Sequence, residues 1–352
     1  MSHPRRAARR PRPLTGISLG LAAVLAAGGV AACGNSGGLG SPDLSDVTVG
    51  MVAGSLGAVP FEFGDSTSQH AFSDAGLNIT VQNFTSESDE DAALKSGKID
   101  IAYGEYGEFL SGDGSTLAAT GDIRVLDNSF NAGTDSIALV VRNGEAGPTV
   151  TGLDSPTAYC TNDYTIAVPG AYSDDYLALA TWLDSQDAPA PEPNQLSTCP
   201  AIMSVGSEQA ALTAVASNQA SAAVLQEPFV TTGEVQQGLE VADDLTAGAA
   251  TSMPLDGFFA SSTFTAKYPR TSAIFASVMA QMQGKCAQRF VVEQALDTGA
   301  TQTQEGIYAT MELGEYPTSV MTSSLSTVVQ LMSSAGLLGG QVNISTLTEL
   351  GG

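Results

Sequence analysis

The sequence predicts an α/β protein of two lobes, each a mixed, mostly parallel sheet flanked by helices. Two observations support this prediction. Short runs rich in β-branched and aliphatic residues alternate with helical segments along most of the chain, which is the pattern of strands joined by crossover helices. The alternation also comes in two successive sets that share a faint internal repeat, so we expect two similar sheets rather than one.

The first set begins at residue 47 and holds five predicted strands. The expected strands cover residues 47–52, 77–84, 99–103, 123–126 and 137–141. A short helix is expected over residues 89–95, because Ser86 or Ser88 provides an N-cap and Gly97 suits the left-handed position after a helix end.

The second set begins near residue 153, and a helical region follows it. Strands are expected at 165–168, 201–205 and 222–225, helices at 174–184 and 207–217, and a proline-rich loop at 187–193. From Thr263 the chain is mainly helical, with residues 268–294 as the longest helical stretch. The internal repeat aligns residues 94–106 with 215–227, and each copy runs from a helix end through a turn into a strand that ends in polar residues.

The first 32 residues have the composition of a secretory signal. Five arginines precede an apolar run over residues 14–32, and no acidic residue interrupts it. The run ends in Val30-Ala31-Ala32-Cys33-Gly34, which resembles the bacterial lipobox, so we expect Cys33 to be lipidated and a flexible tether to cover residues 33–42. Two alternatives remain: an ordinary cleavage site beside an incidental cysteine, and an uncleaved membrane anchor.

Charge excludes several classes of partner. Of 13 basic residues, five lie in the signal, which leaves eight against 37 acidic residues and a net charge of about −29. Such a surface repels nucleic acid and anionic lipid. An anion site built from several arginines is also disfavoured, because only Arg124, Arg142, Arg270 and Arg289 follow the signal.

Three cysteines remain after Cys33. Export would place them in an oxidising compartment, where one pair and one free thiol are expected. Cys160 and Cys199 each stand just before a predicted strand, so we expect them to form a disulfide and Cys286 to be a free thiol in a helix. The spacing contains no CxxC motif, and no metal site is predicted.

Three segments carry a resemblance to a known family. Residues 93–102 (ALKSGKIDIA) resemble the AL-xx-G-x-x-D-x-A stretch of the nitrate/sulfonate/taurine and thiamine-precursor binding lipoproteins of ABC importers. Residues 222–229 resemble the strand of that family that ends in Glu-Pro, and residues 152–154 with 166–170 resemble its entry into the second lobe. The chain departs from the pattern at Asn218 and Ser221, which replace the usual Gly and Asp, and between Cys160 and Cys199, where residues are added.

The resemblance implies a two-lobed, type II periplasmic-binding-protein fold. Lobe 1 would comprise residues 43–140 and 256–352, lobe 2 residues 141–255, and the hinge would lie near Arg142 and residues 254–256. A small organic or nitrogen- or sulfur-containing solute would bridge the lobes, and a permease would recognise the closed form. The implied partners are this solute, ABC permease and ATPase subunits, and the outer face of the cell membrane through the lipid on Cys33; a monomer is expected.

Ligands of such sheets bind beyond the carboxyl ends of the strands. The candidate ligand-binding residues at those edges are Gly54, Ser55, Glu105, Tyr106, Tyr172, Ser173 and Glu227. Each has a structural alternative: a turn for the first two, a hinge-bonded or solvated carboxylate for each glutamate, edge-of-core packing for the tyrosines and a helix N-cap for the serine. Acids at two edges favour an amine-bearing or heteroaromatic solute, although a helix N-terminus could still bind an anion.

Catalysis is not expected. Gly64-Asp65-Ser66 resembles the opening block of GDS-type hydrolases, but that chemistry needs a histidine base, and only His70 follows the signal. No GxSxG, HExxH or Walker A motif is present, and no cofactor is predicted. The alternative function is a lipid-anchored surface protein of the same fold that binds a protein partner.

Overall fold

Ten strands form two five-stranded sheets in the part of the chain that the structure describes. The structure is a computed structural model, and it describes residues 39–52, 54–111, 117–145, 164–188, 190–193, 201–338 and 340–349. The strands are β1 (Asp46–Val52), β2 (Asn78–Phe84), β3 (Ile101–Glu105), β4 (Ile123–Asn131), β5 (Ile137–Arg142), β6 (Ile166–Val168), β7 (Ile202–Ser204), β8 (Ala222–Gln226), β9 (Leu239–Asp244) and β10 (Pro254–Ser261). Residues 35–352 form one compact unit.

Helices flank both sheets. They are α1 (Val59–Asp65), α2 (Ala71–Asp74), α3 (Glu87–Lys95), α4 (Tyr106–Leu110), α5 (Leu117–Thr120), α6 (Asp174–Ser185), α7 (Glu208–Ala216), α8 (Phe229–Gln236), α9 (Ser262–Lys267), α10 (Pro269–Cys286), α11 (Arg289–Leu296), α12 (Gln302–Thr310), α13 (Thr322–Ser334) and α14 (Ile344–Leu347). Among the described residues, short 3₁₀ turns cover Leu56–Ala58 and Gly248–Ala250.

The two sheets share one plan. The first has the order β2-β1-β3-β10-β4 and the second β7-β6-β8-β5-β9. In the first, β1 pairs in parallel with β2 and β3, whereas β10 runs antiparallel between β3 and β4. In the second, β6 takes the place of β1 and β5 takes that of β10. Each sheet is therefore mixed, with equal numbers of parallel and antiparallel pairings, and the predicted two-lobed α/β class is confirmed.

Adjacent residues of β10 belong to cores on opposite faces of the first sheet. Phe258 packs with Phe61 and Phe275, at centroid distances of 5.3 and 5.2 Å. Phe259 stacks on Phe109 at 4.6 Å. This alternation follows from the two-residue period of a strand. Both faces of β10 are thus buried, as expected for a strand in the middle of a sheet.

The chain crosses between the sheets at residues 132–136 and 245–253. The two crossing segments are bonded side by side: the backbone N–H of Ala132 donates to the carbonyl of Met253 at 2.8 Å, and the hydroxyl of Thr246 donates to that of Gly133 at 2.6 Å. The predicted lobe boundaries, at 140/141 and 255/256, fall instead inside β5 and β10. The aliphatic run of β5 predicts a strand without indicating which sheet the strand joins.

Most predicted elements lie close to their expected positions, and the differences have physical reasons. Ser86 caps α3 by accepting from the backbone N–H of Asp89, and Gly97 has the expected positive φ of 70°. The strand β10 was not predicted, because Asp256 and Gly257 interrupt its apolar pattern. The long helical stretch at 268–294 divides into α10 and α11.

Several predictions concern the cysteines, the N-terminal tether and the membrane. Cys33, Cys160 and Cys199 lie outside the described residues. Cys286 is a free, buried thiol at the end of α10, as predicted. At the end of the expected tether, Leu39 is partly buried against the first lobe. In the described part of the chain, no helix combines the length and apolar character required to cross a bilayer.

A buried glutamate in α3 makes the stability of the protein depend on pH. Glu90 is 0% exposed, and its Oε1 accepts from the backbone N–H of Tyr103 at 2.8 Å, while Oε2 meets no donor. Burial raises the pKa of Glu90 from 4.5 to about 8. A raised pKa in the folded state favours the protonated form, so stability is lost as the pH rises from the unfolded value through the folded one.

We predict that Glu90→Gln is more stable than the wild type at pH 8, by on the order of 3 kcal/mol in the free energy of unfolding. At pH 5 the two should be nearly equal, since protonated glutamate and glutamine have similar shapes. Urea unfolding at both pH values measures this. Glu305→Gln, at an exposed position of α12, is the control and should change neither value. Equal stabilities at pH 8 would contradict the prediction.

Candidate functional site

The two lobes touch where the end of β3 and the start of α4 face the start of α6. The backbone N–H of Gly107 in lobe 1 donates to Asp174 Oδ1 in lobe 2 at 3.0 Å. The backbone N–H of Asp174 donates in return to Glu105 Oε2 at 2.8 Å. These reciprocal bonds join the carboxyl end of a strand in one lobe to the N-terminus of a helix in the other.

Gly107 permits this close approach because it has no side chain. A Cβ added there would lie 2.1 Å from the backbone carbonyl oxygen of Tyr172. Real Cβ atoms do not approach backbone oxygen so closely, so a larger residue would push the lobes apart.

A glutamine amide bridges carboxylates of both lobes. Gln226 ends β8, and its Nε2 donates to Glu105 Oε1 at 3.3 Å and to Asp175 Oδ2 at 3.0 Å. Both amide hydrogens of Gln226 are therefore used. The bridge places carboxylates from β3 and α6 next to each other, although like charges repel.

Asp256 brings a further carboxylate from the centre of the first sheet. It lies directly opposite Glu105 on the neighbouring antiparallel strand, and only 1% of its surface is exposed. Its Oδ2 accepts from the hydroxyl of Ser55 at 2.7 Å. Asp256 and the carboxyl groups whose charges act on one another around it form a group that we call the inter-lobe acidic cluster. Its members are Glu87, Glu105, Glu108, Asp174, Asp175, Glu208 and Asp256.

Burial and mutual repulsion raise the pKa values of the cluster. Burial is the main cause for Glu105, and the nearby charges of Asp175 and Asp256 add to it. Burial raises the pKa of Asp175 and of Asp256 from 3.8 to about 6. No lysine, arginine or histidine is among the main causes of these shifts, and the hydrogen bonds to Glu105, Asp175 and Asp256 come from neutral donors.

Asp175 and Glu208 of lobe 2 have neighbouring carboxyl groups with unfilled oxygens. Asp175 Oδ1 and Glu208 Oε2 are buried and meet no donor. Burial raises the pKa of Glu208, and the nearby charge of Asp175 adds to the effect.

The internal repeat places equivalent glutamates at equivalent strand ends. Glu87 is the first residue of α3, and its Oε1 accepts from the backbone N–H of Glu105, 18 residues later. Glu208 is the first residue of α7, and its Oε1 accepts from the backbone N–H of Gln226 over the same spacing. Each lobe thus fixes the tip of its own strand with a glutamate from the preceding helix.

Three of the predicted site residues lie at the acidic cluster. Glu105 belongs to the cluster, and Ser55 donates to Asp256 while it accepts from the backbone N–H of Gly57 at 3.2 Å. Gly54, beside Ser55, has a φ of 120° and open space where a Cβ would be. The left-handed conformation requires glycine there, and it leaves the backbone accessible.

Three others have mainly structural contacts. Ser173 is the N-cap of α6 and accepts from the backbone N–H of Tyr176 at 3.2 Å. Tyr172 is partly buried against the core, although its carbonyl faces Gly107. Tyr106 is 0% exposed and packs edge-on against Phe259, so in this conformation its ring lies in the core rather than along the cleft.

The contacts of Glu227 match the hinge alternative. Its Oε1 accepts from the hydroxyl of Thr231 at 2.8 Å and from the backbone N–H of Glu312 at 3.1 Å, and its Oε2 accepts from the backbone N–H of Thr231 at 3.1 Å. Only 5% of the residue is exposed. Both oxygens of the carboxylate thus have donors within the protein, and the carboxylate ties lobe 2 to the C-terminal part of lobe 1.

The site residues that were not predicted can be recognised only once the fold is known. Asp174 and Asp175 directly follow the predicted Ser173, but acids in the first turn of a helix are common and stabilise the helix dipole. Asp256 lies in the strand that was not predicted. The repeat, extended from 94–106 back to residue 87, would have identified Glu87 and Glu208. Across the described ranges, no three His, Cys, Asp or Glu side chains are arranged to hold a metal ion.

We predict that Gly107→Ala prevents the lobes from reaching the observed contact. The added methyl would meet the carbonyl of Tyr172, and opening the lobes relieves the clash without disturbing either sheet. The radius of gyration from small-angle X-ray scattering should increase. Gly306→Ala in α12 is the matched control, because its Cβ would meet nothing within 4 Å. Identical scattering from both variants would show that Gly107 does not set the distance between the lobes.

Comparison with known proteins places the fold. Over 86% of this chain and 98% of the other, it is similar to the ligand-binding component of an ABC-type import system from Staphylococcus aureus, solved with zinc bound (14% identity, TM-score 0.66). The alkanesulfonate-binding protein SsuA from Xanthomonas axonopodis pv. citri, bound to MOPS, matches over 87% and 98% (13% identity, TM-score 0.60). The periplasmic nitrate-binding protein NrtA from Synechocystis PCC 6803 matches over 73% and 66% (16% identity, TM-score 0.56).

No protein-family model matches the chain, and no curated protein is similar to it in sequence. At sequence identities this low, the structural similarity establishes the fold and nothing further. The predicted resemblance to the substrate-binding proteins of ABC importers is consistent with these neighbours and is confirmed at the level of architecture. The chain has the two-lobed periplasmic-binding-protein fold.

Proposed function

We propose that this chain is an extracytoplasmic solute-binding lipoprotein of an ABC importer, which captures a small solute between its lobes and delivers it to the permease. The observation that carries the proposal is the direct bonding of strand and helix ends across the lobe boundary, through Glu105, Asp174 and Gln226. These are the polar edges at which open α/β sheets bind ligands. Neighbours of the same fold include sulfonate- and nitrate-binding proteins.

The arrangement supports a mechanism of opening and closure. The lobes are joined by two short segments, residues 132–136 and 245–253. They also meet where Gly107 bonds to Asp174, where the backbone of Glu312 bonds to Glu227, and in a shared apolar core. A solute that contacts both lobes binds the closed form more tightly and shifts the population toward it. The permease would then distinguish loaded from empty protein by the distance between the lobes.

The ligand contacts that we propose combine predicted and observed residues. Ser55 and Glu105 from lobe 1 lie beside the unpredicted Asp256, and Asp175 and Gln226 face them from lobe 2. Gly54 offers accessible backbone next to Ser55. Glu227, both of whose oxygens are bonded within the protein, would act on the orientation of the lobes rather than on the solute.

We predict that the domain of residues 35–352 binds a small solute and closes on it. A screen of anions, sulfonates, pyrimidines and amines by thermal shift should identify a stabilising compound, since a ligand at a hundredfold excess over its Kd adds about 2.7 kcal/mol to the free energy of unfolding. The same compound should reduce the radius of gyration. The Gly107→Ala variant should bind it at least tenfold more weakly, whereas the Gly306→Ala control should bind normally.

The contrary result is binding of a protein partner with no response to any small molecule. That outcome would support the alternative function, a lipid-anchored surface protein on the same fold.

We further propose that the chain is exported, cleaved before Cys33 and anchored by a lipid on that residue, on the outer face of the cell membrane. In a bacterial host, the full-length chain should incorporate labelled palmitate and sediment with membranes. Cys33→Ser should lose both properties, while Cys286→Ser, which removes a buried thiol, should retain them. Membrane association that survives Cys33→Ser would instead favour an uncleaved anchor.

A further inference from the structure

We infer that the inter-lobe site takes an organic cation that carries N–H donors, such as an alkylammonium or a guanidinium compound. The inference rests on the proposed function, because it names the class of solute that the same site would bind. It is carried by two independent observations, the chemistry of the lining and the unfilled hydrogen-bonding capacity of its buried oxygens.

Carboxyl groups from both lobes dominate the lining. Glu105 and Asp256 lie on adjacent strands of lobe 1, and Asp174 and Asp175 begin α6 of lobe 2. Their charges add where the lobes meet, and the main neighbours of each are acids or neutral donors. Burying like charges together is costly unless an opposite charge or a proton accompanies them.

Several carboxylate oxygens of the cluster are buried and lack a donor. Asp174 is 0% exposed, and although Gly107 donates to its Oδ1, its Oδ2 meets no donor. The same holds for Oε2 of Glu87, which reaches over the tip of β3. Each such oxygen can accept hydrogen bonds, and leaving it without one costs about 1–3 kcal/mol. The site therefore lacks donors as well as positive charge.

A protonated amine or guanidinium group supplies both. Its charge offsets the carboxylates, and its N–H groups can bond the oxygens that the protein leaves without donors. A quaternary ammonium supplies the charge without the donors. A sulfonate or nitrate would add negative charge where the described residues provide no basic side chain. A compact metal ion needs convergent ligands, which the described residues do not form.

The test is isothermal titration calorimetry of residues 35–352 in cacodylate buffer, which contains neither amine nor sulfonate and does not precipitate zinc. The probes are putrescine, agmatine, choline, methanesulfonate, nitrate and zinc chloride. We expect putrescine or agmatine to bind at least tenfold more tightly than choline, and methanesulfonate and nitrate not to bind. Asp174→Asn and Asp175→Asn should each weaken amine binding at least tenfold. Asp184→Asn, at an exposed position near the other end of α6, is the matched control and should bind as the wild type does.

The outcomes separate the inference from the proposed function. Binding of methanesulfonate, nitrate or zinc alone would overturn the assignment to organic cations while a solute-binding function stands. Choline that binds as tightly as the amines would overturn the requirement for N–H donors. Amine binding unchanged by both Asn variants, with both variants folded by circular dichroism, would remove the acidic cluster from the site. If no solute of any class binds, the proposed function fails, and the inference fails with it.

Discussion

Carboxyl groups that meet across the lobe boundary are the constraint on which the polar contact between the lobes depends. Glu105 and Asp256 face each other on adjacent strands, and Asp174 and Asp175 approach from the other lobe. A few neutral donors hold them, chiefly the amide of Gln226 and the hydroxyl of Ser55. Such donors orient carboxylates but do not offset their charge. Protons, or a guest that supplies positive charge, would therefore stabilise the closed arrangement.

The duplicated plan of the sheets explains why acids gather at this boundary. Each lobe begins a helix with a glutamate, Glu87 or Glu208, whose carboxylate bonds the backbone at the tip of the following strand. This bond fixes the strand end and fills one lone pair, but the second oxygen of each glutamate is left without a donor. When two such lobes face each other, the charge of Glu105 acts on both glutamates. The acidic character of the site thus follows from the repetition of one arrangement, in which a glutamate at the start of a helix bonds the backbone at the end of the next strand.

Much of the fold could be predicted from the sequence, because strands and helices here follow local patterns. Residue type alone predicted a capping serine at 86 or 88 and a left-handed Gly97, and the structure shows that Ser86 is the cap. The strand β10 was not predicted, since Asp256 and Gly257 break its apolar run. Only the neighbouring strands show that this acid lies in the interior of a sheet. Likewise, a tyrosine after a strand end can face the cleft or the core, and Tyr106 faces the core because Phe259 lies behind it.

The paired crossing segments determine what kind of motion the lobes can make. Because Ala132 bonds to Met253 and Thr246 bonds to Gly133, the two connections behave as one double-stranded hinge rather than as two independent linkers. Such a hinge bends easily about one axis but resists sliding and twisting. The lobes should therefore swing apart and return along a single path, with the backbone of Gly107 meeting that of Tyr172 each time. Each closure would thereby restore the same register between the two surfaces, and the side chains of Glu105 and Asp174 would meet the same backbone groups again.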